Sequence, residues 1–457
     1  MYENKKIDFI KLFLIVFISI ELFIILFILF KPLLSNNSLL QKNYSCSDCN
    51  VIIILIDTLR ADHLGVYGYE RNTSPNIDSF ANNSFVFNNA ISQFSATKGS
   101  ISSLFTSTYA SIHKTRKGSH KTRKGSVNRN FSLGDSLPDS FITLAELLKK
   151  NNLITHAIIA NPIISSYFNF NQGFDVYEEK ISGTNYDDIN ITSSAISFLN
   201  SERNKNFFLY LHYMAPHSPY YPPKPYDKLF SNSYSGEINF NYKNNDFFKS
   251  INLTPEIIEK IIALYDGDIR FVDDQINLVF RSLEEFNLLN NTIVIITADH
   301  GEEFEDHHKN FIGHGGYLYD TLIRVPLIIR FPGQKEKKVI KYQVELIDIM
   351  PTIAEFLNIQ INHRIQGESI ITMIKDDKIK STFSESGRAK SIRFNNYKFI
   401  KDFKYDVSKL FDLEIDPFEQ FNLISKEVEL ADELENKLYV WIKKNKYLEE
   451  NIFVKNE

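Results

Sequence analysis

The chain has 457 residues, more than one ordinary domain needs and enough to enclose a large core. Its 51 Lys and Arg are nearly balanced by 56 Asp and Glu, so it carries no basic footprint and nucleic acid is excluded as a partner.

The first element is apolar. From Leu12 to Phe30 the run is broken only by Ser19 and Glu21, long enough to span a bilayer. Apolar residues at about −0.3 to −0.6 kcal/mol each outweigh one central charge at about +3 kcal/mol. No small-residue cleavage site follows, so the run predicts a retained anchor rather than a removed signal. Lys5, Lys6 and Lys11 precede it while Lys31 and Lys42 follow, which favours a cytoplasmic N-terminus. The expectation is a single-pass protein of the cell membrane: residues 1–34 as cytoplasmic tip and anchor, 35–49 as linker, the rest extracytoplasmic. Cys46 and Cys49 are the only cysteines. Too few for a four-ligand zinc site, they predict a local disulfide or two idle thiols.

Asn50-Val-Ile-Ile-Ile-Leu-Ile-Asp57 then reads as a strand buried on both faces. Residues 113–119 and 120–126 are tandem copies of His-Lys-Thr-Arg-Lys-Gly-Ser, a pattern that predicts a solvated basic loop. Phe141 to Lys150 has helical period, and Leu153 to Ala160 is strand-like. Ile269 to Phe286 predicts a helix leading into a second aliphatic strand, Thr292 to Ala298, which stops on Asp299-His300. Such alternation predicts an α/β fold with a large, mostly parallel sheet flanked by helices. Ligands in such sheets bind beyond the carboxyl ends of strands, so Asp57, Asp299 and His300 can converge there on a divalent cation.

Further segments carry a family resemblance. They are Asp57-Thr-Leu-Arg-Ala-Asp62-His-Leu-Gly65, Thr73-Ser-Pro75-Asn-Ile-Asp78, Phe207-Phe-Leu-Tyr-Leu-His212 with Pro216-His217, and His314-Gly-Gly. In the tail come Arg393, Tyr397-Lys398 and Asp416-Pro417-Phe-Glu419-Gln-Phe-Asn422. In order and spacing, from Asn50 to Asn422, the chain resembles the sulfatase family of the alkaline-phosphatase-like superfamily. The resemblance implies a three-layer catalytic domain, 50–380, and a C-terminal subdomain, 381–457, built on a small antiparallel sheet. It implies one divalent metal ion held by Asp57, Thr97, Asp299 and His300. Thr58 stands where many sulfatases have a second Asp, which favours Mn²⁺, Zn²⁺ or Mg²⁺ over a calcium-only site. His217 and His314 match positions that grip the ester oxygens or protonate the leaving group. His212 is a third candidate, with core histidine as the alternative. Lys98 and Arg60 can add positive charge, whereas His307 and His308 read as solvated loop.

The nucleophile region departs from the family. Counting back from Leu104-Phe-Thr106 puts Thr97 where sulfatases carry the Cys or Ser that becomes formylglycine. Gly99 and Ile101 replace the Pro and Arg of that pentapeptide. Threonine cannot yield the aldehyde, so no formylglycine is expected. Thr97 resembles instead the threonine nucleophile of the superfamily's phosphodiesterases and its phosphoglycerol and phosphoethanolamine transferases. The segment Asn161-Pro162-Ile163 lacks the Lys and His that grip sulfate in arylsulfatases; Asn161 reads as an anion donor or a turn residue. The reading is a membrane-anchored, metal-dependent hydrolase or transferase of phosphate esters, its substrate on a cell-surface glycan or lipid headgroup. The alternatives are a sulfuric ester hydrolase and a non-catalytic binder of an anionic glycan or headgroup.

Overall fold

The computed structural model describes residues 45–115, 136–183, 186–230, 253–376 and 378–453. The expected anchor, residues 12–30, and most of the basic tandem repeat lie outside them. Among the described residues no helix is long and apolar enough to cross a membrane.

One sheet organises the core. Five parallel neighbours run from its middle to one edge: β6 (Thr292–Thr297), β1 (Asn50–Ile56), β5 (Phe207–Tyr213), β3 (Ile154–Ile159) and β4 (Val176–Glu179). Beyond β6 lie antiparallel β10 (Leu327–Arg330), then β2 (Phe85–Ile91) and β11 (Lys338–Glu345), with short β9 (Arg324–Val325) also on β2. Every residue of β1, β5 and β6 is buried, as their unbroken aliphatic and aromatic runs require of strands covered on both sides.

The flanking helices include α1 (Pro75–Ala81), α2 (Thr97–Thr106), α3 (Leu144–Lys150), α4 (Tyr186–Glu202), α5 (Pro255–Glu285) and α6 (Ile349–Phe356). Helix α3 starts at a capping box, Thr143 with Glu146. Helix α5 begins 14 residues before the expected Ile269, where the Thr254 hydroxyl accepts the Ile257 N–H. Its first half hides from a periodicity reading because Asp266, Gly267 and Asp268 are buried there. Those carboxylates are satisfied by Tyr69, Arg71 and the Tyr221 amide, partners remote in sequence. Cys46 and Cys49 form a disulfide, and the Cys46 amide bonds to the Phe356 carbonyl at 2.7 Å.

Between His300 and His314 the chain makes a small hairpin, β7 (Glu303–Phe304) and β8 (Ile312–Gly313). His307 and His308, expected to be solvated, pack against it. Each stacks at 3.6 Å, His307 on Tyr319 and His308 on Tyr317, and Glu303 accepts from His308. Burial lowers the His307 pKa to about 4. His113, the first residue of the repeat, is also buried, 3.0 Å from the Ser103 hydroxyl.

A second sheet, all antiparallel, comprises β12 (Thr382–Glu385), β13 (Ala389–Phe394), β14 (Tyr397–Asp402) and β15 (Val407–Asp412). Helix α7 (Val428–Leu448) covers it with Leu434, Leu438 and Trp441 against Ile392, Phe399 and Leu410. The tail residues Arg393, Lys398 and Glu419 join this sheet to the core. Lys398, fully buried, lies 2.8 Å from Asp320 and 2.9 Å from Glu419, and Arg393 bonds Asp320 at 2.7 Å. Burial pushes Glu419 up to about 7, opposed by Lys398, while Arg393 and Lys398 overcome burial and hold Asp320 below the usual carboxylate range. Lys398→Ala should cost roughly 3–5 kcal/mol of stability, because it leaves the buried Glu419 without its cation and Asp320 with Arg393 alone. Urea unfolding of the two proteins checks this; a loss under 1 kcal/mol would show that the network does not hold the sheets together.

Candidate active site

Strand register builds the site. Leu55 pairs with Thr297 across β1 and β6, so Asp57 and Asp299, each two residues further on, emerge level with each other. On the other side of β1, Leu55 pairs with His212 of β5. Asp57, Asp299 and His212 are all buried where the parallel strands end.

Each carboxylate is half satisfied. The Asp299 Oδ1 accepts the Thr58 and His300 amides at 3.1 and 2.9 Å, while its Oδ2 has no hydrogen-bond partner. The Asp57 Oδ2 accepts from Asn161 Nδ2 and, at 3.1 Å, from His212 Nε2, while its Oδ1 has none. Burial alone would raise the Asp57 pKa. The His212 hydrogen bond and the surrounding imidazoles of His217, His212 and His300 overcome it and hold the pKa below the usual carboxylate range. Thr58 turns the chain here in the left-handed region, at φ 57°, an uncommon conformation for a β-branched residue.

His300 completes the cluster. Its Nδ1 donates to the Gly301 carbonyl at 2.9 Å, which leaves the Nε2 lone pair facing the carboxylates. Gly301 is required: a Cβ there would sit 2.0 Å from the Thr321 carbonyl oxygen. Ligand atoms of Asp57, Asp299 and His300 lie within 4.8 Å of one another. Two unpartnered, buried carboxylate oxygens and an imidazole lone pair are costly unless a cation faces them, so the donor set fits a divalent metal.

Helix α2 aims its N-terminus at this cluster. Thr97 opens the helix, and its hydroxyl lies 3.3 Å from His300 Nε2. Ser92 and Ser100 fasten the helix start by donating to the Asp299 carbonyl at 2.5 and 2.7 Å. The departures from the family pentapeptide are packed. A Cβ at Gly99 would fall 2.4 Å from the Phe94 ring, and Ile101 is fully buried in the core, so position 101 brings no cation.

Three imidazoles line one side. The His300 and His314 rings are 4.4 Å apart, and His314 and His217 are 5.1 Å apart. His217 Nδ1 donates to the Ser218 carbonyl at 2.6 Å, and His314 Nδ1 meets Glu302 Oε1 at 3.1 Å. Glu302 escaped the sequence reading although it follows His300-Gly301; only its pairing with His314 reveals it. Burial raises its pKa to about 7, against the pull of His217 and His300.

Other candidates take supporting places. His212 has both nitrogens engaged, on Asp57 and at 2.9 Å on the Tyr210 hydroxyl, which suits an orienting role. Asn161 donates to Asp57, and its own oxygen accepts the Ile163 amide. Arg60, suggested as a site cation, is spent on Asp62, Asp306 and the Glu302 carbonyl. Lys98 is buried with its ammonium 3.2 Å from the Phe168 ring centroid.

Comparison with known proteins agrees with this geometry. Residues 49–359 match the family model described as Sulfatase, and residues 312–444 match that of the N-sulphoglucosamine sulphohydrolase C-terminal region. The chain belongs to the sulfatase family. It is therefore a hydrolase of the alkaline-phosphatase-like superfamily, whose sulfatase-family enzymes are metal-dependent. An arylsulfatase of Clostridium perfringens is 27% identical over 83% of this chain and 90% of its own length. The multifunctional alkaline phosphatase superfamily protein PehA of Trinickia caryophylli is 28% identical over 41% of each chain. Among solved structures, the phosphonate monoester hydrolase of Agrobacterium radiobacter superposes with a TM-score of 0.70. That likeness covers 87% of this chain and 96% of the hydrolase, at 18% identity.

Removing one ligand should empty the site. Asp299→Ala should lose both tight binding of a divalent cation and turnover while keeping its circular dichroism spectrum. Metal analysis of the purified variant checks this. Full activity after exhaustive chelation would overturn the metal role, and two tightly bound equivalents would overturn the single-ion site.

Proposed function

We propose that this sulfatase-family protein acts on phosphate esters through Thr97, as a metal-dependent hydrolase or transferase. The observation that carries the reading is the Thr97 hydroxyl, 3.3 Å from His300 Nε2 at the mouth of the buried Asp57–Asp299–His300 cluster. A divalent cation held by Asp57, Asp299, His300 and Thr97 supplies charge neutralisation for the ester oxygens and a lowered hydroxyl pKa.

The chain's own groups do the rest. Thr97 Oγ loses its proton to solvent and attacks phosphorus in line, forming the Oγ–P bond as the bond to the leaving alcohol breaks. The α2 N-terminus presents amides to the phosphoryl oxygens. His217 and His314 are each held through Nδ1, and one of them, as the imidazolium, gives the leaving oxygen a proton. Water or an acceptor alcohol then attacks phosphorus and releases Thr97. A threonine sulfate has no such relief, because Thr97 cannot re-form a carbonyl to expel it.

The similar proteins span both chemistries, arylsulfatase and phosphonate monoester hydrolase, and one solved neighbour holds D-glucosamine-2-N,6-O-disulfate as its substrate. An anionic ester is common to all. A sulfuric ester hydrolase is the second reading, favoured by the arylsulfatase match over 90% of that enzyme. The proposal also takes residues 12–30 as an anchor with the catalytic domain outside the cell membrane. The Cys46–Cys49 disulfide supports this, since such bonds persist in oxidising compartments.

Thr97→Ala should cost several orders of magnitude in rate, and Thr97→Ser should keep part of it because the hydroxyl survives. Intact mass on a slowly hydrolysed phosphodiester should show a phosphoryl adduct mapping to Thr97. Faster hydrolysis of sulfate esters than of matched phosphodiesters would overturn the phosphoryl assignment. For the anchor, protease added to intact cells should digest the catalytic domain while the mature protein keeps its N-terminus. A soluble mature form beginning beyond residue 30 would overturn it.

A further inference from the structure

A cavity of about 250 Å³ lies where the His314 loop meets the second sheet. Its walls come from both sides, with His308 and Tyr317 on one and Arg388, Asp402, Tyr405 and Lys409 on the other. Two links tie its wall to segments that carry site residues. Ser386 donates to the Gly316 carbonyl at 3.2 Å, two residues after His314. The Glu385 amide donates to the Gln93 carbonyl at 2.9 Å, and Phe94 bridges to Glu385, three residues before Thr97. The turn that carries Arg388 is thus pinned between the loop of one candidate proton donor and the approach to the nucleophile.

Arg388 is held as a flat, oriented fork. Its guanidinium carbon lies 4.3 Å from the Tyr317 ring centroid and 5.3 Å from that of Tyr405, with Nε 3.0 Å from Asp402. Tyr317 is itself stacked with His308 at 3.6 Å. Tyr405 stands at the rim, 60% exposed. An arginine pre-set in this way suits planar recognition of a carboxylate, sulfate or phosphate. Arg388 and Lys409 against Asp402 leave an excess of positive charge in the cavity. Its size falls below the roughly 300–1,000 Å³ of sites for drug-sized ligands, which suits one ring rather than an oligomer.

We propose that this cavity holds the alcohol portion of the ester, and that Arg388 with Lys409 pairs with a second anionic group on that alcohol. The inference rests on the reading in which Thr97 attacks the ester, and it defines the substrate class as a ring alcohol carrying a further acidic group.

The test pairs a phenyl phosphodiester with its 4-carboxyphenyl counterpart. Arg388→Ala should lower the kcat/KM ratio of carboxylated to unsubstituted substrate by about tenfold, mainly through KM, and Arg388→Lys should recover part of it. An unchanged ratio would overturn the subsite. A second measurement does not depend on turnover: saturation-transfer NMR with 4-hydroxybenzoate and phenol. 4-Hydroxybenzoate should bind wild type and Thr97→Ala better than phenol does, and Arg388→Ala should lose that preference. Equal signals from the two probes on wild type would overturn the subsite. Full activity of Thr97→Ala would instead overturn the nucleophile and leave the binding result standing.

Discussion

The parallel pairing of β1 with β6 is the constraint on which the site depends. Parallel strands carry their C-terminal ends at the same edge, and the Leu55–Thr297 register sets two aspartates abreast there. A slip of one residue would turn one of the carboxylates to the opposite face of the sheet. The buried aliphatic runs hold the register, so the chemistry is positioned by residues that take no part in it.

Polar satisfaction at that edge is uneven in an ordered way. Each aspartate commits one oxygen to the protein and leaves the other without a partner. The committed oxygens are fixed by Thr58, His300, Asn161 and His212, which come from three strand ends and the loop after β3. Rigid donors on one side and a bare acceptor on the other define a direction for a cation without any ligand having to move. The histidines are oriented in a similar way: His300 and His217 bond a backbone carbonyl through Nδ1, and His314 meets Glu302.

Much of this was legible in the sequence because it is local. The aliphatic runs and the Asp and His residues at their ends follow from short patterns, and the small C-terminal sheet follows from the family resemblance. What escaped was pairing across distance. The first half of α5 hid behind Asp266 and Asp268, whose partners lie some fifty to two hundred residues away. Glu302 reads as one more acidic residue until His314 stands beside it. Arg60 reads as a site cation until Asp62 and Asp306 take its charge. His307 and His308, in a run of charges, have the composition of a loop, and only Tyr317 and Tyr319 explain their packing.

The departures around Thr97 form a consistent set. Ile101 sits in the core where the family motif carries an arginine, and Asn161 turns its amide to Asp57. Arg60 is neutralised by two carboxylates. None of these positions offers a fixed charge to an ester oxygen. In the proposed reading, stabilisation of the anion then falls to the metal, the α2 N-terminus and the imidazoles. A phosphoryl group suits such a site, because a loose in-line transfer asks mainly for positioning and for charge at its non-bridging oxygens. The alcohol side is then recognised separately, in the proposed reading by Arg388, stacked on Tyr317. Division of labour follows from where each cation is anchored: the reacting group is met by ligands at strand ends, the rest of the substrate by the second sheet that Lys398 and Arg393 fasten to the core.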